Sequence, residues 1–221
     1  MAPTYKLIYW PISGIAEPIR YLLSYGGIDF EDFRFVQKKW PEIKPDMPFG
    51  QVPVLEIDGK AAYQSIAICR YLAKKVKLCG SNDWEDMEID AVVDTIDDFR
   101  KKVSLYWYET NSYFKNKLKG PLLAETIPYF LGHLEEIAKT NKGYLVAGRL
   151  SWADFYFVGI LEYLKIVFEK AFIEGYPNLQ KLENNVLNLP AIKEWNAKRP
   201  ATENLLYPYS GETEEEFQKK C

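Results

Sequence analysis

Residues 49–68 combine features that would bind a small peptide carrying a carboxylate. Val52-Pro53 begins a predicted strand, where proline is tolerated because it need not donate to the sheet, and an X-Pro bond is where a cis peptide is accessible. A cis bond would leave the backbone N–H and C=O of Val52 free to pair with an extended ligand. Gln64 and Ser65 stand at a predicted helix start, whose unpaired N–H groups attract anions. The alternative is a plain hairpin and helix in which Gln64 and Ser65 form an ordinary cap.

The choice of acid–base groups is narrow because the chain has one histidine, His133. It lies in a helical pattern that predicts a surface or packing role, so proton transfer must rely on Tyr, Lys, Asp or Glu. The three cysteines, Cys69, Cys79 and Cys221, have no metal-binding spacing, and we expect no bound metal. Their odd number and an N-terminus without a signal-peptide pattern predict reduced thiols in the cytoplasm.

The overall composition is that of a globular protein with a substantial core. Hydrophobic residues make up 48% of the 221 positions, and 28 Lys and Arg stand against 31 Asp and Glu, for a formal net charge of −3. This balance predicts no broad positive field, which argues against a nucleic-acid or anionic-membrane partner. No uncharged apolar segment approaches the roughly 20 residues of a membrane-spanning helix.

The elements that must position residues 49–68 form a small α/β domain, predicted for residues 1–78. β-Branched and aromatic residues predict strands at 5–10 and 29–36, and apolar spacing predicts helices at 16–25 and 64–76. A hairpin closed by Asp58-Gly59 lies between the second strand and the second helix. The order β-α-β followed by β-β-α is that of a thioredoxin-like domain, with helices on both faces of a mixed sheet.

The pattern changes after a short polar linker at residues 78–83. Strand signals largely vanish there, and apolar residues at spacings of three and four predict an all-helical domain over residues 84–204. Residues 205–221 form an acidic tail. The fold class is therefore α/β followed by all-α, and clefts between such domains are where small-molecule sites usually lie.

Two features organise the helical domain. One long helix is predicted from Trp84 to Asn116, and Gly120-Pro121 separates it from a second helix that ends near Thr140. Ser151-x-x-Asp154 forms a capping box before an apolar run, with the serine accepting from the helix start and the aspartate reaching back. Because that run is apolar on all sides, its helix should be central and buried.

Four features taken together resemble cytosolic glutathione transferases over nearly the whole chain, to about residue 202. The features are a first strand ending at Tyr9, Trp40-Pro41-x-x-Lys44, Gln51-Val52-Pro53 with Gln64-Ser65, and the Ser151-x-x-Asp154 box. Their details are similar to the sigma class, and most similar to its arthropod members. The resemblance implies a homodimer whose thioredoxin-like domain binds glutathione as co-substrate, without a covalently bound cofactor, and whose helical domain provides the electrophile site.

The resemblance assigns the catalytic role to Tyr9. The thiol of glutathione has a pKa close to that of free cysteine, about 8.5, and the thiolate is the nucleophile. A phenol O–H directed at the sulfur would stabilise the thiolate as a hydrogen-bond donor, because tyrosine titrates near pH 10 and stays protonated. Without the resemblance, Tyr9 would be taken as a core residue, as Tyr5 and Tyr21 are.

The same resemblance implies the remaining contacts to glutathione. Trp40 and Lys44 would bind the glycine end, with Lys44 facing its carboxylate. Gln64 and Ser65 would bind the γ-glutamyl carboxylate, and Asp98 would reach the γ-glutamyl amine held by the neighbouring subunit. The residues that would hold the cysteinyl backbone are Gly50, Gln51, Val52 and Pro53.

The long helix carries four acids, Asp90, Asp94, Asp97 and Asp98, that are expected on one face without a neighbouring lysine. This grouping argues against a merely solvated face, and a divalent cation between subunits is a third interpretation.

The electrophile would lie above Tyr9, against the long helix. The candidate pocket residues are Trp10, Ile12, Ile15, Val103, Ser104 and Trp107. Ile15 stands where several sigma relatives carry an arginine, which weakens the case for isomerase activity on prostaglandin-like substrates.

The resemblance implies an enzyme that adds the glutathione thiolate to hydrophobic electrophiles such as lipid-peroxidation aldehydes, a detoxification reaction. Two alternatives stay open: a glutathione-dependent isomerase or peroxidase similar to prostaglandin D synthase, and a non-catalytic structural or binding descendant. Retention of Tyr9, Trp40, Lys44, Gln64 and Ser65 argues against the non-catalytic alternative.

Overall fold

The computed structural model describes residues 3–168 and 172–200. Its first part is a four-stranded sheet in the order β2-β1-β3-β4, made of β1 (Tyr5–Tyr9), β2 (Glu31–Arg34), β3 (Val54–Ile57) and β4 (Lys60–Tyr63). β1 is parallel to β2 and antiparallel to β3, and β3 is antiparallel to β4. The helices of this part are α1 (Glu17–Tyr25), α2 (Trp40–Ile43) and α3 (Ser65–Lys75). The predicted thioredoxin-like order is confirmed.

The sheet separates two apolar layers. Leu7 and Leu55 belong to the main core with α1 and α3, whereas Ile8 and Val54 belong to a second cluster that includes Trp40 of α2. The assignment alternates along each strand because successive side chains point to opposite faces of a sheet. β1 therefore ends with Tyr9 in the main core, on the side of the sheet that meets the second half of the chain.

The second part is helical, as predicted. Its helices are α4 (Asp83–Trp107), α5 (Ser112–Pro121), α6 (Ile127–Thr140), α7 (Trp152–Phe168), α8 (Pro177–Leu187) and α9 (Pro190–Lys198). Residues 151–161 at the start of α7 are all buried, so the central helix predicted from its apolar run is confirmed. The domain limits at 1–78 and 84–204 stay predictions, and the acidic tail at 205–221, with Cys221, lies outside the described residues.

The prediction of one helix from Trp84 to Asn116 is wrong. α4 ends at Trp107, and the side chain of Asn111 accepts hydrogen bonds from the N–H groups of Tyr113 and Phe114 at 3.0 and 3.3 Å. This cap satisfies the first N–H groups of a new helix, so apolar spacing that continues across residues 108–111 does not keep the backbone helical.

The predicted break at Gly120-Pro121 is also wrong. Pro121 is the last residue of α5, and a π turn over Leu122–Thr126 carries the chain directly into α6. A local π turn lets a helix absorb a proline, whose missing N–H removes one hydrogen bond of the α pattern. α5 and α6 are therefore two parts of one continuous helical segment.

The capping box at α7 forms around a buried carboxylate. Asp154 Oδ2 accepts from the Ser151 N–H at 2.7 Å and Oδ1 accepts from the Leu145 N–H at 2.8 Å. The aspartate thus reaches back as predicted, but the Ser151 hydroxyl donates to Asp154 Oδ2 at 3.2 Å instead of accepting from the helix start. Burial raises the pKa of Asp154 to about 6, although its hydrogen bonds oppose this.

We expect Asp154→Ala to lower the free energy of unfolding by about 3 kcal/mol, because it leaves two buried N–H groups without an acceptor. Urea denaturation followed by circular dichroism measures the change. Glu136→Ala serves as the control, since its ion pair with Lys139 is exposed and should contribute little. Equal losses in the two variants would contradict the role of Asp154.

Candidate functional site

A cleft of about 370 Å³, including its open mouth, lies between the β1–α1 loop, the turn before β3 and the start of α3. Six predicted site residues line it: Ile15, Gln51, Val52, Pro53, Gln64 and Ser65. The Val52–Pro53 peptide bond is cis, as predicted. The structure therefore brings together residues that are up to 50 positions apart in the sequence.

The start of α3 is strained and lacks a side-chain cap. Gln64 occupies the N-cap position with φ of 70° and ψ of 107°, and its side chain makes no capping bond. The interpretation of Gln64 as an ordinary cap is therefore wrong. A residue other than glycine at positive φ costs about 1–3 kcal/mol and is found where a site requires that backbone. Uncapped N–H groups beside a cleft favour a carboxylate there.

Lys44 and Gly50 lie side by side next to this cleft. Gly50 has φ of +59°, and a Cβ built on it would come within 3.0 Å of Lys44 Cε. The lysine stem thus packs against the glycine backbone, and its ammonium group is at the end of an exposed side chain. A larger residue at position 50 would displace the lysine.

Trp40 and Trp10 form an aromatic cluster on the second face of the sheet. Trp40 stacks on Phe35 with ring centroids 5.6 Å apart, and Trp10 lies 4.5 Å from Phe35 and 5.2 Å from Trp40. Trp10 therefore supports Trp40 and does not line the cleft, so its assignment to an electrophile pocket gains no support from these contacts.

Tyr9 ends β1 with its ring buried and 6% of its surface exposed. Burial and the neighbouring Tyr108 raise the pKa of the Tyr9 phenol to about 12, although an N–H from Ile15 and the charges of Arg20 and Arg100 oppose the increase. The Ile15 N–H donates to the Tyr9 oxygen at 3.4 Å. The phenol is therefore protonated at neutral pH and available as a hydrogen-bond donor.

Gly14 leaves the space that the Tyr9 hydroxyl occupies. Its φ is +44°, and a Cβ at this position would lie 2.6 Å from the Tyr9 oxygen. The glycine is required for two reasons. An L side chain would strain the backbone at this φ, and it would also collide with the phenol.

Of a polar group above Tyr9, the sequence analysis named Ser104 but missed the other members. Tyr163 of α7 lies near Ser104, Tyr108, Arg100 and Tyr9. Burial raises the pKa of its phenol, and Tyr9 adds to the increase. The contacts with Ser104 and Tyr108 and the charge of Arg100 oppose it. Arg100 Nη1 donates to Ser104 Oγ at 3.3 Å. The spacing of 100, 104 and 108 along one helix face was a usable signal, whereas the arrival of Tyr163 depends on how α7 packs on α4.

The remaining electrophile candidates are placed differently from one another. Val103 is fully buried in the main core, and its place in an electrophile pocket stays a prediction. Ile12 is half-buried and its carbonyl accepts from Arg20 Nη1 at 2.8 Å. Trp107 is half-buried, with Lys115 Nζ 5.5 Å from its ring centroid.

Comparison with known proteins identifies two family domains in the chain. Residues 5–74 match the glutathione S-transferase N-terminal domain family, and residues 97–199 match the C-terminal domain family. A glutathione S-transferase of Anopheles gambiae is 47% identical over 201 residues, covering 91% of this chain and 99% of the relative. The chain belongs to the glutathione S-transferase family.

Two further proteins similar to this transferase are named as prostaglandin synthases. The rat hematopoietic prostaglandin D synthase is 41% identical over 201 residues, with 90% of this chain and 98% of the relative covered. The solved structure of prostaglandin synthase D of Nilaparvata lugens is 47% identical, with a TM-score of 0.87 over 90% of this chain and 99% of that one. The resemblance to sigma-class and arthropod members is consistent with these relatives.

The expectation of an aspartate cluster without a nearby lysine is wrong. Lys101 Nζ lies 2.9 Å from Asp97 Oδ2 and 3.6 Å from Asp98 Oδ1, one helical turn further along α4.

Asp97 is buried and also accepts from Arg100 and Tyr156, while Asp90 pairs with Arg70 of α3. Burial opposes ionisation of Asp97, but the bonds from Arg100 and Lys101 hold its pKa below the usual range. The acids thus divide between ion pairs and solvent.

Residues 3–168 and 172–200 contain no grouping of three or more His, Cys, Asp or Glu side chains arranged to hold a metal ion. None of their helices has the length and apolar character needed to cross a bilayer.

We expect Gly14→Ala to lower kcat by at least about tenfold, because its Cβ would collide with the Tyr9 hydroxyl and displace it. Steady-state rates with glutathione and a chloronitrobenzene substrate measure the effect. Gly59→Ala is the matched control, since Gly59 also has positive φ but nothing lies within 4 Å of its Cβ position. A loss of kcat in both variants would attribute the effect to backbone strain and contradict the role of the phenol contact.

Proposed function

We propose that this transferase conjugates the glutathione thiolate to hydrophobic electrophiles, with Tyr9 donating a hydrogen bond to the sulfur. The observation that carries the proposal is the buried, protonated Tyr9 phenol at the end of β1. Its oxygen accepts a hydrogen bond from the N–H of Ile15, a residue that also lines the cleft. A donor held in place before the reaction stabilises developing or full negative charge without reorganising. It therefore lowers the pKa of the bound thiol and raises the fraction of thiolate at neutral pH.

The other proposed contacts hold the tripeptide along the cleft. Lys44 would face the glycine carboxylate, and Trp40 would contact the same end. Gln51 and Val52, with Gly50 and Pro53 on either side of them, would pair with the cysteinyl backbone. The uncapped start of α3 supports the assignment of the γ-glutamyl carboxylate to Gln64 and Ser65, because two attractive terms coincide there: free N–H groups and the positive end of the helix dipole.

The polar group above Tyr9 supports an electrophile that carries an oxygen function. Ser104, Tyr108 and Tyr163 offer hydroxyl groups and Arg100 offers a positive charge near the place where the sulfur would attack. Ile12 and Ile15 offer apolar surface beside them. An α,β-unsaturated aldehyde fits this division, because its carbonyl oxygen gains negative charge as the thiolate adds to the alkene carbon, and a proton from solvent completes the product. We therefore place lipid-peroxidation aldehydes first among the substrates.

We expect Tyr9→Phe to lower kcat by about 100-fold or more with a chloronitrobenzene substrate, while calorimetry shows nearly unchanged binding of glutathione. In the wild type, the rate should rise with pH as the thiol ionises and should not fall up to about pH 10, because the pKa of Tyr9 is about 12. In the variant the rising limb should move up toward the free thiol value of about 8.5.

Tyr5→Phe is the matched control for this change. Tyr5 is the other buried tyrosine of β1, and its hydroxyl lies at the far end of the strand beside Tyr71 and Lys75. Turnover in Tyr9→Phe equal to that in Tyr5→Phe would overturn the assignment of Tyr9.

A second candidate function is the isomerisation of a prostaglandin endoperoxide with glutathione as cofactor. It is favoured by the two relatives named as prostaglandin D synthases, and is disfavoured by Ile15, where an arginine was expected for that activity. Product analysis with an endoperoxide, an organic hydroperoxide and an unsaturated aldehyde separates isomerase, peroxidase and transferase. A failure to bind glutathione at all would favour the non-catalytic alternative.

We further propose that the active form is a cytoplasmic homodimer. Phe49 supports this, because 81% of its surface is exposed on the turn that lines the cleft and its ring lies 5.4 Å from the half-exposed Tyr63. An aromatic pair in such a position favours burial against a second copy. Asp98, which is also exposed on α4, would then reach the γ-glutamyl amine across the interface.

We expect Phe49→Ser to shift the chain from dimer toward monomer at micromolar concentration, because it removes the apolar anchor of the interface. Analytical ultracentrifugation measures the change. Trp84→Ser provides the control, since Trp84 is 66% exposed at the other end of α4 from the cleft. A wild type that sediments as a monomer would contradict the proposal.

A further inference from the structure

α5 exposes an unusual amount of apolar surface for a short helix. Among the helices of ten or more residues in the described part of the chain, it alone has no buried residue. Tyr113, Phe114 and Leu118 are 60, 53 and 39% exposed. Contiguous exposed apolar side chains on a soluble domain mark a surface that binds something.

The same helix is strongly basic. Residues 112–121 contain Lys115, Lys117 and Lys119 and no acid, so the helix carries a charge of +3 in a chain whose net charge is −3. The Lys117 ammonium lies 4.6 Å from the ring centroid of Tyr113, and Lys115 Nζ donates to the carbonyl of Trp107 at 3.1 Å. The nearest acids along the chain, Glu109 and Glu125, lie outside the helix.

The apolar residues and Lys117 share one side of the helix. At 3.6 residues per turn, Tyr113, Lys117, Phe114 and Leu118 fall within an arc of about 140°, whereas Lys115 lies about 60° and Lys119 about 100° beyond it. Aromatic rings interleaved with lysines are typical of segments that lie at the boundary between lipid headgroups and acyl chains, with the ammonium groups reaching the phosphates.

We propose that α5 docks on an anionic lipid bilayer, with Tyr113, Phe114 and Leu118 entering the headgroup region and Lys117 facing lipid phosphates, while Lys115 and Lys119 add positive charge to the same helix. Charge complementarity argues for this occupant, because each lysine near an anionic membrane surface adds to the attraction. The whole-chain charge predicts no such attraction, but attraction over one Debye length depends on the local charge of α5 and not on distant acids.

Docking in this way has a geometric consequence for the site. α5 begins five residues after Trp107, and Lys115 ties it to the carbonyl of that residue. The end of α4 that carries Trp107 and Tyr108 would face the lipid, which is where apolar electrophiles partition.

Vesicle co-sedimentation without glutathione tests the proposal, and its failure would leave the transferase activity untouched. The full chain should sediment with equimolar phosphatidylcholine and phosphatidylserine at low salt, and should bind much less to phosphatidylcholine alone or at high salt. Lys117→Glu with Lys119→Glu should weaken binding at least about tenfold. Phe114→Ser with Leu118→Ser should weaken it as well, at unchanged salt dependence.

Matched controls separate the α5 surface from general effects. Lys60→Glu with Lys193→Glu makes the same change in net charge on other exposed positions, and should leave vesicle binding nearly unchanged. Trp84→Ser with Met87→Ser removes exposed apolar surface elsewhere and should also leave it unchanged. Losses in these controls as large as in the α5 variants would overturn the proposal.

Two further outcomes would also overturn it. One is no difference between anionic and neutral vesicles for the full chain. The other is binding only after removal of residues 201–221, which would show that the acidic tail of this chain, and not lipid, is the occupant of α5. Turnover of a small soluble electrophile should be the same in all variants, which checks that each one is folded.

Discussion

A buried carboxylate on α1 holds the two halves of the molecule and the β1–α1 loop in one arrangement. Glu17 is fully buried, and it accepts hydrogen bonds from Arg20 at 3.0 Å and from Trp195 and Arg199 at 2.8 Å each. Arg20 in turn donates to the carbonyl of Ile12, in the loop that follows β1. Two buried charges are stable only when paired and hydrogen-bonded, so helix α9, helix α1 and the loop over the Tyr9 phenol depend on one another.

Local chemistry predicted most of the fold. The strands follow from β-branched and aromatic runs, and α7 follows from its apolar sequence after Ser151 and Asp154. The errors lie where two local signals compete: the Asn111 cap ends a helix that apolar spacing would continue, and a π turn carries the helix through Pro121. Periodicity describes which face of a helix is buried. It does not detect a four-residue break when the apolar spacing continues unchanged after the break.

The cleft at the start of α3 was also predictable, because Gln51, Val52, Gln64 and Ser65 lie on turns whose chemistry is local. The electrophile side was less so. Its polar group joins residues of α4 to Tyr163 of α7, and that contact follows from helix packing, which no spacing rule specifies. Val103 shows the same limit of the sequence, because an apolar residue fits a pocket wall and a core position equally well. Only the structure shows that its side chain is fully buried.

Two adjacent residues of the β1–α1 loop differ in the substitutions that the structure has room for. Gly14 lies against the phenol oxygen, so a side chain there would collide with the Tyr9 hydroxyl. Ile15 touches the same oxygen through its backbone N–H, which every residue except proline supplies, while its side chain lines the cleft. A change of side chain at residue 15 therefore alters the surface of the cleft and leaves the backbone hydrogen bond to the Tyr9 oxygen in place.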